Sequence, residues 1–305
     1  RKNRLAPLLH FNGSGGGNAN WVKHHQRGAE LNGMIVAASV ESKNGPGHPV
    51  GNHDHAKRCV AHLIATLPVD PERVYFTGGS GGGAMSFYNA ARIKSAGAMP
   101  HIGYIPQETT PSRKGHYFVI NGTTDFNRYT SANAVDSLGD NAIHRFFVGG
   151  HREGPDWLCT EGMAWLNGKY LAGRKSDAKL LSERMDWETS MLDWITEVKA
   201  THAHRAYYWC LFLRDDYKLS GVNSNRMVAL TKELGTNPTN VAYAKGIKDL
   251  DAFSRRQLAP LGTGTKQNHS DPKVAAQAER MAKEYAGVPE IPELAADLAK
   301  PTGSQ

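Results

Sequence analysis

The segment Gly78-Gly79-Ser80-Gly81-Gly82 constrains this chain more than any other. Before it, Arg73-Val74-Tyr75-Phe76-Thr77 reads as a short buried strand. After it, Ala84, Phe87, Tyr88 and Ala91 recur on one face of a helix. A G-x-S-x-G turn between strand and helix is so tight that the serine takes a strained backbone and its hydroxyl is left exposed. Glycines two positions to either side relieve the clash that a Cβ would make. The same five residues would also suit a plain glycine-rich connection, so the context decides.

That context alternates. Residues 7–11, 34–40, 73–77, 101–106, 116–120 and 143–148 have the apolar content of short buried strands. Between them, helical spacing starts near Asn18 and recurs over 53–67, after Ser80, over 133–138 and over 156–171. Asn52 is placed to cap the second helix. Strands alternating with helices predict an α/β fold, a parallel sheet of about six strands with helices on both faces. From about Lys175 only helical spacing remains. The expected organisation is a sheet domain over residues 1–172 and an all-helical module over 173–305. A polar linker spans 259–271, and a Pro- and Ala-rich tail follows Tyr285.

Composition narrows the class. The 305 residues are 40% hydrophobic and 9% aromatic, enough for a substantial core. No apolar run approaches a membrane span. The net charge of +7 is spread along the chain, +5 over 1–172 and +2 over 173–305, which argues against a nucleic-acid stripe. Cys59, Cys159 and Cys210 are too few and too widely spaced for a disulfide framework or a zinc motif. His53-x-His55 falls at i, i+2 on a helix and diverges, and neither His24-His25 nor His202-x-His204 does better. No metal and no cofactor are therefore expected. The chain starts at Arg1 rather than Met, which reads as a processed or truncated product.

A serine on such a turn needs a base, and the base needs an orienting acid. Asp125 lies just past the fifth predicted strand, in Asn121-Gly122-Thr123-Thr124-Asp125. His151 lies just past the sixth, after Gly149-Gly150. Both fall at the carboxyl edge of the sheet, where open α/β folds bind ligands. Glu108, after the fourth strand, is the rival acid. An oxyanion would be held by two backbone amides, that of Gly81 and that of Ser14 in the glycine-rich loop after the first strand. Trp21 and Trp157, just past these loops, are candidates for an aromatic substrate wall, or equally for packing of helix starts on the sheet.

Residues 1–172 resemble the α/β-hydrolase family, specifically its polyhydroxybutyrate-depolymerase and feruloyl-esterase-like branch. The resemblance rests on Asp70-Pro71-Glu72-Arg73-Val74-Tyr75-Phe76-Thr77-Gly78-Gly79-Ser80-Gly81-Gly82, on Asn121-Gly122-Thr123-Thr124-Asp125 and on Gly149-Gly150-His151. It implies Ser80 as nucleophile, Asp125 as acid and His151 as base, acting on small or polymeric esters, and it is compatible with secretion. With the right-handed crossover rule it implies the strand order 2-1-3-4-5-6. The chain departs from the family at three points. It begins at what resembles the third strand, the oxyanion loop reads Phe11-Asn12-Gly13-Ser14, and the C-terminal helices have no counterpart. A peptidase or other acyl hydrolase fits the same residues. A dinucleotide-binding oxidoreductase fits only Gly79-Ser80-Gly81-Gly82-Gly83-Ala84, and a catalytically dead hydrolase fold would leave the three residues without a task.

Overall fold

The computed structural model describes residues 6–10, 16–45, 49–106, 109–262 and 271–303. Six strands form one sheet: β1 (Ala6–His10), β2 (Met34–Ala38), β3 (Tyr75–Gly79), β4 (Gly97–His101), β5 (His116–Gly122) and β6 (Ala142–Phe147). Their order is β2-β1-β3-β4-β5-β6 and every neighbouring pair is parallel. This is the expected order. Such a sheet must be covered on both faces, and the strand side chains divide accordingly. Phe76, Ala98, Tyr117 and Val119 point one way, onto Val60 and Leu63 of α2 (Val50–Thr66), Phe87 of α3 (Gly81–Arg92) and Val135 of α4 (Arg128–Leu138). Tyr75, Met99, Phe118 and Ile120 point the other way, toward α1 (Ala19–Asn32) and α5 (Asp156–Ala172).

Two details differ from expectation. The fourth strand lies at 97–101 rather than 101–106. Pro100 disguises it, because a proline cannot donate to a sheet ladder. On the β5 side the pairing runs Gly97–His116, Ala98–Tyr117 and then His101–Ile120, passing over Met99 and Pro100. The second helix starts at Val50, so Asn52 lies inside it. Its amide instead holds the loop after β2, bonding the carbonyl and the N–H of Lys43 at 2.8 and 3.2 Å.

Beyond α5 the chain is helical: α6 (Leu181–Lys199), α7 (Ala203–Leu211), α8 (Ser224–Gly235), α9 (Pro238–Phe253), α10 (Pro272–Glu284) and α11 (Ile291–Leu298). α7 and α9 each run on into a π-helical turn, at 212–216 and 254–258. The tail expected after Tyr285 contains a helix, α11, started by Pro292 in its first turn.

The apolar cluster on the α5 face continues without interruption through Trp187, Met191, Trp209 and Phe212. Buried Arg73 ion-pairs with Glu183 of α6. Along β6, where a sheet edge would expose unpaired groups, side chains of α9 and its π-turn replace the missing strand. Asp251 accepts the His144 N–H at 2.7 Å and Arg255 donates to the Ala142 carbonyl at 2.6 Å. Among the described residues no helix is long and apolar enough to cross a membrane.

Candidate active site

β3 ends at Gly79 and α3 begins at Gly81, so Ser80 alone makes the turn. Its backbone sits at φ 56°, ψ −117°, a region that costs a non-glycine residue about 1–3 kcal/mol. Neighbouring bonds hold it there. The Ser80 N–H donates to the His101 carbonyl at 3.1 Å, and its own carbonyl accepts the Ala84 N–H at 3.0 Å. A Cβ at Gly79 would collide with the Glu153 carboxylate, and one at Gly83 with the His101 carbonyl and Gly103. Ile102, next to His101, is also at positive φ (43°), and Asn127 donates to its carbonyl at 2.8 Å.

Three parallel strands deliver three side chains to this edge. His151, past β6, lies with Nε2 2.8 Å from Ser80 Oγ and Nδ1 2.9 Å from Asp125 Oδ1. A carboxylate only accepts, so Nδ1 carries the ring proton and Nε2 is free to accept from the serine hydroxyl. Asp125 is fully buried. Its carboxylate also accepts from the Asn127 N–H at 3.0 Å and from Asn121 Nδ2 at 2.6 Å. This complete set of donors is what a buried carboxylate requires.

The hydrogen-bond chain runs further back. Asn121 Oδ1 lies 2.9 Å from His144 Nε2, and His144 Nδ1 lies 2.6 Å from Ser254 Oγ in the second π-turn. The Asn121 oxygen accepts, so His144 is the Nε2–H tautomer and Ser254 donates to Nδ1. Burial, and then Arg255, pull the His144 pKa down to about 3, which keeps this ring neutral.

A second support comes from α11. The Thr123 hydroxyl donates to the Asp297 carboxylate and accepts the Gly149 N–H at 3.2 Å. One carboxylate thus ties the loop of Asp125 to the loop of His151. Burial pushes the Asp297 carboxyl up, but bonds from Lys300, Thr123 and the Gly149 amide outweigh it and hold it below its ordinary value. Buried Arg128 donates to the carbonyls of Thr123 and Lys300, and the Gly303 N–H donates to the Thr124 carbonyl at 2.9 Å.

The structure therefore brings Ser80, Asp125 and His151 into one hydrogen-bonded row, with the Gly81 amide at the first position of α3 beside them. Ser14 and Glu108 lie outside the described residues. Trp21, in the first turn of α1, meets the His24 ring edge-on at 6.0 Å. Trp157, in the first turn of α5, is partly buried on the core under the Arg205 guanidinium, 3.4 Å from the ring centroid. The aromatic ring against the row is Phe126. It stacks on the His151 imidazole at 4.1 Å and 24°, with 39% of its surface exposed.

Sequence reasoning missed Phe126, Thr123, His144 and Asp297 as parts of this site. Only His144 left a trace, as a polar residue sharing the alternation of β6 with buried Phe146.

No protein-family model and no curated protein matches the chain. Solved structures do. SOBER1 of Arabidopsis thaliana is 17% identical, over 54% of this chain and 98% of that one, with a TM-score of 0.43. Esterase PE8 is 16% identical, over 53% and 92%, with a TM-score of 0.43. A hyperthermophilic esterase from the archaeon Pyrobaculum calidifontis is 16% identical, over 56% and 79%, with a TM-score of 0.45.

Proposed function

We propose that this chain is a serine hydrolase of carboxylic esters, working through Ser80, His151 and Asp125. The observation that carries the reading is the unbroken row from Ser80 Oγ to His151 Nε2 at 2.8 Å and from His151 Nδ1 to Asp125 Oδ1 at 2.9 Å, with Ser80 held at positive φ. Ser80 attacks the ester carbonyl while His151 takes its proton and then passes it to the departing alcohol. Asp125 keeps Nδ1 protonated and stabilises the imidazolium. The Gly81 amide, with Ser14 as second donor, holds the oxyanion. Water, deprotonated by His151, releases the acid and restores Ser80. No cofactor enters these steps.

The exposed Phe126 face beside His151 supports aromatic or polymeric esters of the feruloyl and polyhydroxybutyrate type as substrates. In this reading residues 1–172 carry the chemistry and residues 173–305 hold its loops in place, as the Asp297 and Ser254 bonds suggest. A dinucleotide-binding reading leaves the Ser80–His151–Asp125 row without a task. The test is labelling with a fluorophosphonate probe, followed by assay on p-nitrophenyl, feruloyl and polyester substrates. Modification at Ser80 with turnover of at least one ester is expected. An unlabelled, inert protein with intact fold refutes the reading.

A further inference from the structure

Behind Ser80, on the side of the sheet covered by α1 and α5, lies a buried group the proposed reaction does not use. It comprises His25 of α1, His101 at the end of β4 and Cys159 of α5. Each offers a donor atom, and these atoms all lie within 4.8 Å of one another. His24 touches this group at one point, with Nε2 3.2 Å from Cys159 Sγ.

The outer bonds of the imidazoles are of the kind that orients metal ligands. Such a ligand presents one nitrogen to the metal and gives its other N–H to a carbonyl or carboxylate. His25 Nδ1 lies 2.9 Å from the Trp21 carbonyl, His24 Nδ1 2.5 Å from Asp156 Oδ1, and His101 Nδ1 3.0 Å from Glu153 Oε2. The Gly154 N–H donates to His101 Nδ1 at 3.4 Å. Glu153 faces Nδ1 at ion-pair distance without a hydrogen bond, so metal binding at Nε2 requires the ring proton to sit on the Glu153 side. That His101 Nε2 is buried and makes no hydrogen bond, a costly arrangement unless something binds there.

We propose that His25, His101 and Cys159 form a structural binding site for a divalent metal of the zinc class. Imidazole and thiolate together suit zinc, and burial of all three donors behind the sheet edge makes the centre structural rather than catalytic. On binding, the metal–sulfur bond replaces the Sγ–H bond and the proton leaves to solvent. His24 borders a surface cleft of about 640 Å³ between α1, α5 and α6, which gives the ion a way in. The site would pin three elements directly behind Ser80, because the His101 carbonyl is the acceptor for the Ser80 N–H and the Glu153 carboxylate packs against Gly79.

Cobalt substitution tests this on the intact chain. After loading with cobalt and gel filtration, the wild-type protein should retain about one equivalent and show thiolate-to-cobalt charge-transfer absorption. Cys159→Ser should lose that absorption, and His101→Gln should bind cobalt on the order of tenfold more weakly. Zinc should raise the melting temperature of the wild type and leave that of Cys159→Ser unmoved. Circular dichroism establishes that each variant is folded, and Cys159→Ala replaces Cys159→Ser if the latter is not. A wild-type protein that retains no cobalt overturns the proposal. So does absorption that survives loss of the Cys159 thiol, or retention equal in wild type and both variants. In those cases the cluster binds no metal, and the Cys159 thiol donates to His24.

Discussion

Ser80 presents its hydroxyl because of its backbone, and the two groups that form a hydrogen-bonded row with it lie past two other strands. Replacing Ser80 or His151 with Ala is expected to lower kcat by roughly 10³–10⁶-fold, and the double variant by no more than either single one, since the two act as a unit. Asp125→Ala should cost less, because the Ser80–His151 pair partly survives. Single-turnover and steady-state assays on a p-nitrophenyl ester measure all four, and full activity of a folded Ser80→Ala protein would overturn the assignment. Phe126→Ala should raise KM for a feruloyl ester more than for p-nitrophenyl acetate, because acetate is too small to reach the ring. Equal changes would make Phe126 a packing residue.

His144 adds a pH dependence of stability. In the unfolded chain its imidazole takes up a proton below about pH 6.5. In the folded protein burial and Arg255 delay that to about 3. Between these values the unfolded state binds more protons, so stability present above pH 6.5 is lost as the pH falls toward 3. His116, held down to about 4 by burial, Lys169 and Arg174, acts in the same direction. Urea midpoints at pH 7 and pH 5 should therefore differ more for the wild type than for His144→Gln. An identical difference would place the acid sensitivity in other groups.

At the scale of elements, α11 is the piece whose effect exceeds its size. Ile291, Leu294 and Leu298 bury themselves against α9, α10 and β6, while Asp297 bonds the loops of Asp125 and His151. Leu294→Ala should cost about 2–5 kcal/mol of stability in urea unfolding, the usual range for a buried leucine. Asp297→Ala should instead act on geometry, lowering kcat by about 10-fold with KM nearly unchanged, because small displacements of catalytic groups are expensive in rate. Thr123→Val should reproduce that split. If both variants lose only stability and keep kcat, the bond serves folding alone.

For the molecule as a whole, one core crosses residue 172. Trp187, Met191 and Trp209 share a cluster with Phe118 and Ile120 of the sheet, and Asp251 and Arg255 close the edge of β6. A chain ended at Ala172 would expose that apolar face and an unpaired strand edge together. It should be insoluble, or lack a cooperative thermal transition by circular dichroism. A soluble, cooperatively folding, active product of 1–172 would show that the helical part is dispensable.

The sheet order and the row of three catalytic candidates were legible in the residues because they follow from local rules. A G-x-S-x-G segment set between a strand and a helix forms a tight turn, and parallel strands with right-handed crossovers send every following loop to one edge. Ser80, Asp125 and His151 each sit just past a strand, so chain order alone assembled them. The supporting groups obey no such rule. Asp297 lies 174 residues from Thr123, Ser254 lies 110 from His144, and Cys159 lies 135 from His24. In the sequence alone His24 and His25 are set aside as a metal pair, because neighbours on a helix point apart. Only the packing of α1 and α5 on the end of β4 sets them against His101 and Cys159. Contacts of this length are made by whichever faces the core forces together, and a linear pattern carries no record of that choice.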